Sequence, residues 1–300
     1  MLRWRLLSAS VIIPLLLLIV WLDGTMNFGR PGIWLAPLGV VIAGLAAGEM
    51  LSLFHAQGNR PVAWVTVVGT MVVMASACAP MMWKEYPVDC PLGRFGWPMM
   101  GLALGVVMAF IAEMRRFEKP GGAIVHVALS VFVMTYIGLL ASFLGALRMI
   151  HDNAWGLAAL LSVIIIVKVS DSGAYAVGRL CGRHPLSPTL SPKKTVEGAV
   201  GGIVTACLMS WLVFAVLNAR LVGEGEAVTP IWASLVYGFI IAVAGMIGDL
   251  AESLLKRDAD IKDSSKWIPG LGGVLDIIDS VLTTAPAAFA CWVLGLVGPG

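Results

Sequence analysis

Charge is what this 300-residue chain has least of: 20 Lys and Arg and 18 Asp and Glu make up only 13% of it, against about 25% in ordinary soluble domains. Histidine is nearly missing, and His55, His126, His151 and His184 lie far apart with no HExxH spacing. The five cysteines, Cys78, Cys90, Cys181, Cys207 and Cys291, form no CxxC and mostly fall in or beside apolar runs, where a thiol acts as a small filler. Both shortages argue against a zinc or haem site. A net charge of +2 offers no basic surface for nucleic acid. There is no internal repeat and no low-complexity tract.

What is present is apolar: 59% hydrophobic residues and a mean hydropathy of +0.90. A helix needs roughly 20 apolar residues to cross the hydrocarbon core. Nine runs approach that length, at 7–22, 33–54, 62–83, 96–114, 122–148, 155–176, 198–219, 231–251 and 280–298. The expected fold is therefore all-α, a polytopic integral membrane protein with nine transmembrane helices. The first run follows Arg3 and Arg5 in the manner of a signal peptide, but no small-x-small cleavage pattern comes before Asp23, which favours an uncleaved span.

Basic residues orient the spans. With a cytoplasmic N-terminus, 15 of the 20 Lys and Arg fall on the inside, leaving Arg30, Lys84, Arg94, Arg148 and Arg220 outside. The positive-inside rule thus places the N-terminus in the cytoplasm and the C-terminus outside. Residues 1–150 have short connections with scattered charges and read as a scaffold of five spans. Residues 151–300 carry two long polar cytoplasmic loops, 177–197 and 252–279, and read as the catalytic region.

The second loop concentrates charge, since residues 248–279 hold 11 of the chain's 38 charged residues. On one helix through 231–257, Asp249, Glu252, Ser253 and Lys256 share a face. Asp249 has apolar neighbours, and an ionised carboxylate at such a depth needs a partner or a cation. Asp276, Asp279 and Ser280 share a face at the start of the next helix, where the unpaired N–H groups favour negative charge. Asp249 and Asp276 on consecutive antiparallel helices would make a site for a hard divalent cation such as Mg²⁺. The plainer alternative is a solvated hairpin with N-terminal helix acids.

Upstream, "SPKKTVEG" at 191–198 puts Lys193 and Lys194 before the seventh span, and "VSDSGAYAVGR" at 169–179 carries Asp171, Ser172 and Arg179. Facing an acidic metal site, such lysines suit a polyphosphate. Glu49 in the second span reads as a hydrogen-bonding partner for a neighbouring helix rather than a catalytic group, and "AGLAAGE" and "GAVGG" as helix-packing surfaces.

The stretch "GDLAESLLKRDADIKDSSKWIPGLGGVLDIIDS" resembles the C-terminal signature of the phosphatidate cytidylyltransferase (CDP-diacylglycerol synthase) family, S-x-x-K-R-x4-K-D followed by P-G-H-G-G and a D-R-x-D ending. "SDSGAYAVGR" and "SPKKTVEG" resemble its upstream segments, whereas the first 150 residues are similar only in being hydrophobic and multi-span. Two positions depart from the pattern: Leu271 stands where the family has His, and Ile277 where it has Arg.

The resemblance implies a Mg²⁺-dependent enzyme, with one or two ions, that joins CTP and phosphatidate to give CDP-diacylglycerol and pyrophosphate in phospholipid synthesis. It implies Asp249 and Asp276 as metal ligands, and Lys256, Asp263 and Asp279 as catalytic groups. It implies Lys193 and Lys194 on the CTP phosphates, with Asp171 and Ser172 near that pocket. The setting is a bacterial inner membrane, with the site facing the cytoplasm among membrane lipids. A monovalent cation and a homodimer are left open. The competing readings are a CTP-dependent polyprenol-type lipid kinase, an ion-coupled transporter, and a non-catalytic relative motivated by Leu271 and Ile277.

Overall fold

The computed structural model describes residues 2–83, 86–87, 89–222, 228–261 and 272–299, with side chains from Ser10 onward except Val11. The chain forms two units, one of residues 1–149 with 255–278 and one of residues 150–254 with 279–300. Asp263 and Leu271 lie outside the described residues.

The first unit holds α1 (Leu2–Thr25), α2 (Leu35–Ala56), α3 (Ala63–Ala77), α4 (Gly96–Arg115), α5 (Ala123–Val133) and α6 (Leu140–Arg148). A π-helical stretch, Met134–Leu139, joins α5 to α6 in one continuous rod. Its core is Val65, Val73, Ala109, Ala112 and Met134. Polar side chains add specificity within this apolar packing: the Thr66 and Ser130 hydroxyls lie 2.8 Å apart across α3 and α5.

A buried ion pair ties α1 to α6 within this unit. Arg148 Nε donates to Asp23 Oδ2 at 2.6 Å, and the two side chains are 1% and 0% exposed. The backbone N–H groups of Gly32 and Trp34 also donate to Asp23, each at 3.1 Å. The carboxylate is thus satisfied by one cation and two amides, which offsets its desolvation. In the sequence Arg148 is one of five basic residues counted on the outside, at the end of the fifth run; the structure adds that it is buried against Asp23.

The second unit begins with α7 (Asn153–Cys181), whose N-terminus is capped by Asp152 accepting from Trp155 N at 2.8 Å. Next come β1 (Pro185–Ser187) and β2 (Ser191–Thr195), an antiparallel hairpin pairing Pro185 with Thr195 and Ser187 with Ser191. Thr195 then caps α8 (Val196–Leu221) by accepting from Gly198 N at 3.1 Å. The unit is completed by α9 (Ile231–Asp258) up to Leu254 and by α10 (Val274–Val293) from Asp279. The small residues of "GAVGG" serve helix packing, and Ser170 Oγ reaches the Gly202 carbonyl at 3.1 Å. The core is aromatic: Tyr237 receives the indole N–H of Trp292 at 3.3 Å, lies 3.0 Å from Ser162 Oγ, and meets Phe214 edge-on at 5.5 Å.

Two details differ from the expected layout. The sixth predicted span ends at 176, but α7 continues to Cys181, since nothing breaks the helix before Gly182. The first polar loop is correspondingly shorter and contains a hairpin, so the fold is nearly, not wholly, all-α. Among the described residues seven helices are long and apolar enough to cross a membrane; the described apolar part of α1, Ile12–Thr25, and α3 are shorter.

Candidate active site

The acidic cluster is built by two helices of the second unit that approach closely. Gly248 permits this, because a β-carbon there would stand 2.6 Å from the Asp279 carbonyl oxygen. Thr283 Oγ1 fastens α10 to α9 through the Ala244 carbonyl at 2.8 Å. With the helices held so, Asp249 and Glu252 from one face of α9 meet Asp279 of α10. Each offers a carboxylate oxygen within 4.8 Å of the other two, and Glu252 and Asp279 are buried.

At that separation each pair of ionised carboxylates repels by about 3.5 kcal/mol or more at an effective dielectric of about 20. The arrangement therefore calls for cations. One is Lys194, whose ammonium pairs with Asp249. Asp279 is further held by the N–H and hydroxyl of Ser280, at 2.5 and 3.0 Å. The Ser280 hydroxyl lies 3.4 Å from Asp171 Oδ2, and Lys168 Nζ lies 3.5 Å from the same oxygen. An all-oxygen donor set of three carboxylates fits a hard divalent cation such as Mg²⁺ or Mn²⁺ better than a soft metal.

Beside the acids opens a cleft of about 390 Å³, lined by Asp171 and Asp249 and by Arg179, Lys193 and Lys194. Tyr175 also lines it, its hydroxyl accepting from Arg179 Nη1 at 3.2 Å. The hairpin carries the lysines, and Glu197 at the start of α8 fixes its base by accepting from the N–H groups of Arg183 and His184 at 3.0 and 3.2 Å. Clustered carboxylates next to ammonium groups form a setting that suits a metal-bound polyphosphate.

The residues singled out from sequence fall into distinct groups. Asp249, Asp279, Asp171 and Lys194 come together, and Lys193 lines the same cleft while remaining exposed. Ser172 donates to the Lys168 carbonyl of its own helix at 2.8 Å and is exposed. Lys256 and Asp276 form a pair of their own in the first unit, Nζ to Oδ1 at 2.6 Å, and Asp276 Oδ2 accepts from Gly273 N at 2.7 Å. Gly272, at φ +89°, is needed there, since a side chain would strain the backbone and crowd that carboxylate. Glu252 was visible on the Asp249 face but carried no assigned role; its spacing of three residues from Asp249 was the available signal.

Comparison with known proteins adds the following. Residues 3–294 match the model of the cytidylyltransferase family. The chain is 37% identical over 191 residues to a phosphatidate cytidylyltransferase of Haemophilus influenzae, covering 62% of each protein. It is 37% identical over 177 residues to one of Mycobacterium tuberculosis, covering 59% of this chain and 49% of that protein. It is 32% identical over 182 residues to one of Staphylococcus saprophyticus, covering 60% and 65%. The matched stretches span less than two thirds of each relative's own length.

Proposed function

The chain belongs to the cytidylyltransferase family, and from that premise we propose that it transfers CMP from CTP to phosphatidate, yielding CDP-diacylglycerol and pyrophosphate. The observation that carries this is the cleft of the second unit, where the Asp249, Glu252 and Asp279 carboxylates adjoin Lys193 and Lys194.

The chemistry is a displacement at phosphorus. A phosphomonoester oxygen of phosphatidate forms a bond to the α-phosphorus of CTP, the bond to the β-phosphate bridging oxygen breaks, and pyrophosphate leaves with that electron pair. The attacking oxygen is already anionic near neutral pH, so no strong general base is required. That lessens the weight of Leu271 standing where the family has histidine. Asp249, Glu252 and Asp279 would hold Mg²⁺, which supplies charge neutralisation for the attacking and leaving oxygens. Lys194, poised on Asp249, and Lys193 receive the CTP phosphates; Asp171 orders the same wall through Ser280 and Lys168. Lys256 takes a substrate phosphate, with Asp276 fixing its ammonium.

The topology belongs to the same reading: nine crossings, the N-terminus in the cytoplasm, the C-terminus outside and the site at the inner face of a bacterial inner membrane. It is supported by the basic residues gathering on one side and by apolar helices at all nine expected positions. CTP then arrives from water and phosphatidate from the leaflet.

Purified protein incubated with Mg²⁺, phosphatidate and CTP labelled at the α-phosphate tests the activity. Label recovered in lipid supports cytidylyl transfer. Transfer of γ-label to a polyprenol without α-label in lipid indicates the kinase, and no labelled lipid overturns both.

A further inference from the structure

Glu49 is the one acid in α2, and its side chain is buried in an apolar helix at 7% exposure. Its two oxygens accept from different backbone groups, Oε1 from Val274 N at 3.0 Å and Oε2 from Leu275 N at 2.8 Å. These are the first N–H groups of α10, which have no partner within the helix. A carboxylate there also lies at the positive end of the helix dipole. The contact joins residues more than two hundred positions apart, so the start of α10 is fixed by a helix from the beginning of the chain.

The neighbouring residues give this contact a consequence. Asp276 stands in the same first turn, held by Gly273 N and by Lys256. Just past the end of α2, the Gln57 amide donates to Asp258, two residues beyond Lys256. The chain around α2 thus grips the two segments that present Lys256 and Asp276. We propose that Glu49 is a positioning residue for the Lys256–Asp276 pair: its carboxylate sets where the first turn of α10 begins and so where the Asp276 carboxylate meets the Lys256 ammonium. The inference rests on the reading of that pair as part of the phosphate-handling machinery.

The test uses the full-length protein, purified with lipid, and Glu49→Gln, which preserves shape but exchanges one acceptor oxygen for an amide NH₂ that cannot accept from an N–H. The expected result is a kcat lower by about tenfold or more per folded molecule, with the KM values for CTP and phosphatidate within about twofold of wild type. Coupling through the pair also predicts that Glu49→Gln combined with Lys256→Gln is no slower than Lys256→Gln alone. A purely stabilising cap would lower the folded yield and leave kcat per folded molecule intact; that result, or a kcat loss that recurs in full when Glu49→Gln is added to Lys256→Gln, overturns the inference. If Glu49→Gln does not extract as folded protein, Glu49→Asp, which keeps the charge but shortens the reach, is judged by the same kcat criterion. A wild-type protein that moves no α-label into lipid removes the proposed function itself, whereas an active wild type with an unchanged Glu49→Gln kcat removes only the role of Glu49.

Discussion

Each of the two units buries carboxylates among apolar helices, and each answers the cost differently. Asp23 in the first is enclosed by the Arg148 guanidinium and two backbone amides, a closed arrangement in which one charge meets one opposite charge. In the second, Asp171, Asp249, Glu252 and Asp279 lie together, and the lysines set against them are Lys168 and Lys194. Among the described residues the acids cluster beside a cleft that Lys193 and Lys194 also line, a donor set that could hold a divalent cation. The first arrangement is a closed one-to-one pairing, whereas the second gathers several carboxylates beside a cleft.

Mutation should separate the two. The largest loss is expected from Asp249→Asn or Glu252→Gln: turnover down about a thousandfold or more, the thermal midpoint held or raised because a repelling charge is gone, and no rescue by excess Mg²⁺. Near-normal turnover in both variants would break the comparison on the catalytic side. Arg148→Met should show the opposite profile, since stranding the Asp23 charge costs about 3–5 kcal/mol of stability while kcat per folded molecule stays unchanged. Thermal unfolding in detergent, paired with the labelled-CTP assay, reads both quantities.

Smaller effects sharpen the picture within the cleft. Lys194→Gln should lower kcat/KM for CTP by about tenfold to a hundredfold and Lys193→Gln by only a few-fold, because Lys194 alone is set on the acidic cluster while Lys193 is exposed. Equal losses would argue for general electrostatic attraction. Smallest is Tyr237→Phe, which removes the hydroxyl shared with Ser162 and Trp292 and should cost about 1–2 kcal/mol of stability with the activity retained.

Much of the second unit was legible in sequence, because its information is local. The face shared by Asp249 and Glu252 follows from helical periodicity, and α9 runs Ile231–Asp258 where 231–257 was expected. The hairpin at 185–195 was hidden by its shortness and by prolines that read as loop, and the end of α7 by the lack of a breaker before Gly182. Contacts between distant parts of the chain were not legible. Arg148 counted only as a basic residue at the end of a span because Asp23 lies 125 residues away, and Glu49 showed only that it needed some partner. Asp279 stood out as a helix-start acid, but its meeting with Glu252 depends on the close approach at Gly248, which no periodicity reveals.

Binding of Mn²⁺, an oxygen-preferring stand-in for Mg²⁺, followed by electron paramagnetic resonance on purified protein, tests the metal cluster most directly. Wild type should take up Mn²⁺ in competition with Mg²⁺, and Asp249→Asn and Glu252→Gln should lose that uptake while remaining folded. Undiminished Mn²⁺ binding in both variants would contradict the assignment of these carboxylates as the metal site.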